Sequence, residues 1–398
     1  MDGDELPIGR RVAEWRTRRK MSQQVFADRL GKSKSWVDKV ERGVRRLEKV
    51  STIREIAEAL GIDTAVLLGR DARTDDVAER VDGVERIRAV LSTYEVALAR
   101  PNAPLAVVPA GELAGRVEHA WTTYQHARYP QLVALLPGLL GTAQRTHAHG
   151  PVSGRAPLVD TYRVTASLLV KLAEPDLAWL AVDRAMAVAT GDPVLVATAT
   201  VQLGQVLRAA GRARAAMSAL LAAAYRIAAP NPDDAPAEDL SLCGALLVQA
   251  ALAAAGHGDE RSATELVDEA ADLATRVGDG HDHHRTGFGP TAVDLARVTA
   301  AVELGDGRDA VAWHEKATAR DGWRCLPPEH RAGHLVDAAR AYLQADDPAA
   351  AGRVLVDAGR LAPAEVDRPA ARDVMTRVVR CPDMPPAVTR LATTLGVA

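Results

Sequence analysis

The sequence predicts an all-α protein in two parts, a compact bundle of short helices followed by a long array of helix pairs. Three observations predict it. Ala is abundant, only 4% of the residues are aromatic, and β-branched residues rarely run together, which disfavours sheets. Apolar residues recur at three- and four-residue spacing through most of the chain. Short turns carrying Gly, Asp or Pro recur between these stretches. At 398 residues the chain exceeds one ordinary domain, and 47% hydrophobic with 25% charged residues is a globular composition.

Ile8, Val12 and Trp15 fall on one face of a first helix. Ser22 is placed to N-cap a second, with Phe26 and Leu30 as its apolar stripe and Ala27 small enough for close packing. Gly31-Lys32 breaks it. Ser33 caps a third helix that buries Val37 and Val40, and Gly43 ends it. A fourth helix carries Ile53, Ile56, Ala57 and Leu60, and a short fifth carries Val66 and Leu67. Five short helices in the first 70 residues make one bundle.

Residues 71–109 read as a helical linker. An acidic connector leads into an amphipathic helix with Val84, Ile87, Leu91 and Val96 or Leu98 inward, and a Pro-rich break follows at 101–109. Helix hairpins are expected over 116–147, 160–190, 194–228, 242–275, 291–320 and 332–362, with residues 369–397 as a cap. Turns starting near 174, 210, 256, 305 and 345 are spaced by 36, 46, 49 and 40 residues. That is close to the tetratricopeptide (TPR) period of about 34, although the W-x2-L-G-x2-Y signature is missing. Residues 110–398 are therefore expected to form a TPR-like α-solenoid; a plain helical bundle is the alternative.

Charge divides the chain in the same way. Residues 10–49 hold 14 Lys/Arg against 5 Asp/Glu, while the whole chain is at −3. A basic head on an acidic body suggests that the head meets a polyanion. No apolar run reaches the ~18 residues of a membrane helix, and the N-terminus does not read as a secretory signal. Cys243, Cys325 and Cys381 lie far apart without CxxC spacing, which suits a reducing cytoplasm.

The stretch SQQVFADRLGKSKSWVDKVERG (22–43) resembles the helix-turn-helix of XRE/Cro-type regulators, through Ser22, Gln23, Ala27, Leu30, Gly31, Ser33, Val37, Val40, Glu41 and Gly43. The resemblance implies DNA binding over residues 6–70, with the helix after Ser33 in the major groove. With Val37 and Val40 inward, Lys34, Ser35 and Lys39 should face base edges. Gln23 matches the position that meets a phosphate, and Arg42, Arg45 and Arg46 can reach the backbone. Trp36 either packs on sugar or a thymine methyl, or covers the bundle edge. Glu41 is expected to pair with Arg10 or Arg11.

A helix-turn-helix head on a TPR-like body is similar to two-part regulators of actinobacteria and, with peptide ligands, of Firmicutes; the Ala/Arg richness favours the actinobacterial type. Asn102 and Asn231 are the only asparagines, which argues against an Asn-based peptide clamp. Tyr162, Arg163, Gln202, Gln205, Arg208 and Gln249 are candidates to line a concave ligand surface.

Enzymatic chemistry finds no support in the motifs. His281, Asp282, His283 and His284 read as a solvated Gly-rich loop rather than a metal site. His330 and His334 are four apart but lack the general-base Glu of HExxH. No phosphate-binding glycine loop or nucleophile elbow occurs. No cofactor, metal site or catalytic residue is therefore expected.

The sequence thus points to a cytoplasmic transcriptional regulator, a homodimer on double-stranded DNA. Its array would sense a peptide, small molecule or partner protein, or dimerise. The alternative is an interaction scaffold with a low-specificity DNA-binding head.

Overall fold

In a computed structural model, the structure describes residues 7–45, 47, 50–62, 64, 67, 72–93, 107–382 and 384–397. Among them there is no strand; helices and short connections account for the fold. The chain divides into two compact units, Met1–Glu85 and Arg86–Ala398.

The first unit holds α1 (Ile8–Arg18), α2 (Gln23–Arg29), α3 (Lys34–Glu41) and α4 (Val50–Leu60). Ser22 caps α2 by accepting the Val25 N–H, and Ser33 caps α3 by accepting that of Trp36. These bonds satisfy N–H groups that the first helical turn leaves unpaired. Gly31 turns the chain between the two helices at φ +61°, a left-handed conformation that glycine adopts without strain. Val12, Phe26, Ala27, Val37, Ile53, Ile56, Leu60 and Leu67 form the core, as the spacing predicts. Leu67 also accepts a hydrogen bond on its carbonyl from Arg11 Nε at 2.9 Å. Val66 lies outside the described residues.

The helix α5 (Ala72–Ser92) runs through the division between the units. Val84, Ile87 and Leu91 are buried as expected; Val96 and Leu98 lie outside the described residues.

The second unit is a succession of antiparallel pairs: α6 (Ala110–Gln125) with α7 (Tyr129–His149), α8 (Pro151–Lys171) with α9 (Pro175–Ala189), and α10 (Pro193–Ala209) with α11 (Ala213–Ile227). Then come α12 (Ala237–Gly256) with α13 (Glu260–Val277), α14 (Pro290–Leu304) with α15 (Gly307–Thr318), and α16 (Pro328–Gln344) with α17 (Pro348–Leu361). Three short helices close the array, α18 (Pro363–Asp367), α19 (Pro369–Val379) and α20 (Pro386–Leu395).

Local chemistry sets these boundaries. Proline, with a preset φ and no N–H to lose, opens nine of the helices from α8 onward. Asp192, Asp259, Asp306 and Asp347 accept N–H groups of the helices they precede. The aspartates of the turns near 256, 305 and 345 are therefore N-caps, whereas Glu174 makes no capping bond.

The first helix of each pair packs against the first helix of the next, giving a continuous inner layer α6–α8–α10–α12–α14–α16. A small residue also lets a connecting loop press onto this layer. At Gly244 in α12 a Cβ would lie 2.1 Å from the ring of Phe288, so no larger residue fits. Ala237–Gly256 is also apolar enough over its length to cross a membrane, but 78% of its apolar window is buried inside the array. It is explained as the central core helix.

The array also returns on itself: α16 contacts α6, the first inner helix. No repeat period predicts that contact.

Candidate functional site

In the first unit, α1 lies so close to α3 that a Cβ on Gly9 would sit 2.1 Å from the Val40 carbonyl oxygen. The approach is fixed by a buried carboxylate. Glu41, at the end of α3, accepts Arg16 Nε at 2.5 Å and Arg16 Nη2 at 3.1 Å, and also Gln23 Nε2 at 2.8 Å. Arg16 Nη1 donates in addition to the Met21 carbonyl at 2.7 Å. One acid thus joins α1, the start of α2 and the end of α3. The expectation of Arg10 or Arg11 as its partner is corrected to Arg16, because Arg11 is engaged with the Leu67 carbonyl and Arg10 is exposed.

Gln23 is half-buried and donates to Glu41, so its position is set by that carboxylate. Lys34, Ser35 and Lys39 are all exposed on α3, opposite buried Val37 and Val40. Trp36 is half-buried against the core, with the Arg45 guanidinium 5.8 Å from its ring centre. Arg42 is exposed and pairs with Asp38 at 3.2 Å, and Arg45 is also exposed. Arg46 lies outside the described residues. The short helix thus keeps its apolar side in the bundle and offers two ammonium groups and a hydroxyl to water. Such groups can donate to phosphate oxygens and to guanine acceptors.

The second unit contains a cavity of about 690 Å³ bounded by the inner helices. Gln202, Gln205, Arg208 and Gln249 line it, with Trp121, Lys171, Glu303, Asp337 and Arg340. Tyr162 and Arg163 do not. Tyr162 is buried and its hydroxyl accepts from Gln144 at 3.1 Å. Arg163 is only 2% exposed, and it donates to Gln202 Oε1 (2.9 Å), Asp160 Oδ1 (2.6 Å) and the His284 carbonyl (2.8 Å). These bonds make it a structural strut.

The loop after α13 is likewise structural. Its Gly and His content predicts a solvated segment, yet most of it is half-buried. Asp282 accepts from Gln125 Nε2 at 2.7 Å and from the Gly287 N–H at 3.1 Å. Arg285 pairs with Glu118, and Phe288 fills the space above Gly244. The loop therefore ties α13 to α6 and α8, and Asp282 and Arg285 to Phe288 contribute to the cavity wall.

A charged cluster joins the two ends of the inner layer. Lys171 lies 2.5 Å from Glu329 and 3.0 Å from Glu365, which is fully buried. Tyr124 donates to Glu329 at 3.3 Å, and Tyr129 donates to Glu365. Burial alone would lower the Lys171 pKa, but the two carboxylates outweigh it and raise it. Burial pushes Glu365 up, yet Lys171 and Arg368 hold it below its ordinary value. Lys171 and Glu365 thus hold each other in their charged forms. Nearby, His314 Nδ1 and His334 Nε2 are 2.9 Å apart, both buried. Burial lowers both pKa values, that of His334 strongly.

Comparison with known proteins adds the following. No curated protein matches the sequence. The chain shows weak structural similarity to PlcR of Bacillus thuringiensis, solved with the peptide PapR7 and DNA: 12% identity, TM-score 0.38, covering 78% of this chain and 94% of that one. It is similar at the same level to BtubC of P. vanneervenii, at 17% identity and TM-score 0.37, covering 63% and 90% of the two chains. A mutant of PrgX gives 10% identity and TM-score 0.37, with 85% and 95% covered. Residues 7–68, which span α1 to α4 and include the capped α2–turn–α3 unit locked by Glu41, match the family model described as a helix-turn-helix domain.

Proposed function

We propose that this protein is a DNA-binding transcriptional regulator. In this reading it acts in the cytoplasm as a homodimer, with α3 of each copy in the major groove of one operator half-site. Lys34, Ser35 and Lys39 meet base edges, Gln23, Arg42, Arg45 and Arg46 serve the phosphate backbone, and Trp36 flanks the contact. A single head is small and would bind weakly, so two half-sites are needed. The array senses a ligand or partner, and a ligand that prefers one arrangement of the paired heads would change operator affinity.

The observation that carries the reading is the exposed Lys34–Ser35–Lys39 face on a helix whose opposite side is anchored by Val37, Val40 and Glu41. Selection of duplexes from a random pool by the full chain, followed by gel-shift titration in rising salt, tests it. A recovered consensus whose binding weakens with salt is expected. No duplex binding above that of an uncharged control protein would overturn it.

A further inference from the structure

The cavity in the array sets an apolar wall beside a polar one on α10 and α14. Alternate helices of an antiparallel array run in the same direction, so the inner helices present corresponding ends to one side. On α10, Val201, Gln205 and Arg208 share one face at four- and three-residue spacing. On α14, Leu295 and Ala296 precede Thr299 and Glu303 on one face. On α12, Ala245 and Val248 precede Gln249. Val201, Ala245, Val248, Leu252, Leu295 and Ala296 thus form an apolar wall, and Gln205, Arg208, Thr299 and Glu303, on later turns of α10 and α14, form a polar end.

At the polar end, charges are paired with one exception. Arg340 holds both Glu303 (2.9 Å) and Asp337 (3.4 Å). Elsewhere on the wall, Lys171 is paired with Glu329 and Glu365, Arg368 with Glu365, and Arg285 with Asp282 and Glu118. Arg208 has no such partner: among the described residues, no carboxylate oxygen lies within 4.0 Å of it. Its Nη1 donates to the neutral Gln249 Oε1 at 3.2 Å, and no other hydrogen bond engages it. Burial costs this cation enough to lower its pKa, against the weaker pull of Glu303 and Asp337. A guanidinium has five N–H donors in a planar fork matched to a carboxylate. Arg208 is half-buried and its one hydrogen bond goes to a neutral amide, which leaves part of that fork able to take a carboxylate.

We infer that the cavity binds a small organic acid, its carboxylate on the free edge of Arg208 and its apolar body against Val201, Ala245, Val248, Leu252, Leu295 and Ala296. The volume of about 690 Å³ suits such a molecule, lying within the range of roughly 300–1,000 Å³ usual for ligand sites. Gln205, one turn before Arg208, is placed to donate an amide N–H to the same end. The proposal supplies a ligand class for the sensing role proposed above and rests on that role only for its regulatory consequence.

The test is calorimetric titration of the full chain, without DNA, with pyrene-1-butyrate and with its neutral carboxamide. The acid should bind at least roughly tenfold more tightly than the amide, the size expected of one charge-assisted pair. Arg208→Gln should erase the preference while leaving amide affinity within about twofold; Arg208→Lys should keep part of it, losing the fork but not the charge. Equal affinity of the native chain for the two probes, or binding of neither, overturns the inference without need of any variant. So does an acid preference that persists in Arg208→Gln. Because DNA is absent, failure here is separate from failure of the duplex-selection experiment.

Discussion

The two units of this chain use the same residues to opposite ends. In the head, the guanidinium of Arg16 is turned inward to hold Glu41, whereas Lys34, Lys39, Arg42 and Arg45 stand in water. In the array, Arg163, Lys171, Arg340 and Arg368 are turned inward and matched with carboxylates, amides or carbonyls. The difference teaches how placement assigns a charge its task. Exposed cations contribute little to stability and remain free to meet a polyanion. Buried pairs add little net stability over an apolar replacement, but losing one partner is costly. An interior of Ala and Leu is permissive about which surfaces meet; the charged cluster at α6, α8, α16 and α18 permits far fewer arrangements.

Lys171→Met should sharpen this comparison most. It leaves Glu329 without its nearest cation and Glu365 with Arg368 alone. Breaking such a buried pair costs about 3–5 kcal/mol, read as lost denaturation free energy of the array. A change under roughly 1 kcal/mol, the range of exposed pairs, would show that the cluster behaves as a surface feature.

The exposed face should respond in the opposite sense. The triple substitution Lys34→Ala, Ser35→Ala and Lys39→Ala should leave the melting profile unchanged, since all three side chains are exposed. Affinity for the selected duplex should fall by at least about a hundredfold, given 1–3 kcal/mol for each good base contact. Retained preference for the selected sequence would show that α3 is not the reading helix.

Glu41→Ala joins the two behaviours, because Glu41 is a buried acid on the reading helix. It strands Arg16 and frees Gln23. A cost of about 2 kcal/mol in the head is expected from hydrogen bonds to a charged group, together with weaker duplex binding as α3 loses its fixed angle to α1. Loss of stability with unchanged DNA affinity would separate the lock from the contact.

Local signals in this sequence proved readable and distant ones did not. Ser22 and Ser33 as caps, the buried faces of α2 to α4, and most of the hairpin turns all depend on residues three or four apart, which one strand of text displays. Arg16 as partner of Glu41 depends on how α1 docks on α3, a tertiary fact decided partly by the close approach at Gly9. The His-rich loop looks solvated from its Gly and His content, and only the fold brings Gln125 to Asp282 across 157 positions. Ring closure through Tyr124 and Glu329 spans 205 positions. Of the residues expected on the ligand surface, Arg163 turned inward because Gln202, Asp160 and the His284 carbonyl satisfy its donors. Arg208 meets only Gln249, while Arg340 holds the acids Glu303 and Asp337.

The smallest effect concerns pH and again contrasts inside with outside. His314 and His334 share a hydrogen bond in the array, and burial depresses the pKa of each. Glu315 pulls the first weakly upward, while His330 pushes the second further down. An unfolded histidine titrates near 6.5. Above that pH both states are neutral and the pair contributes in full. As pH falls below 6.5, the unfolded chain binds protons that the folded pair refuses, so stability declines until the folded pKa values are passed. Thermal melts between pH 7.5 and 5 should show the array's Tm dropping by a few degrees. In the double variant His314→Leu, His334→Leu the slope over this interval should flatten, even if the variant melts at a different absolute temperature. An identical slope in native and double-variant chains would show that the buried pair plays no part in the array's response to acid.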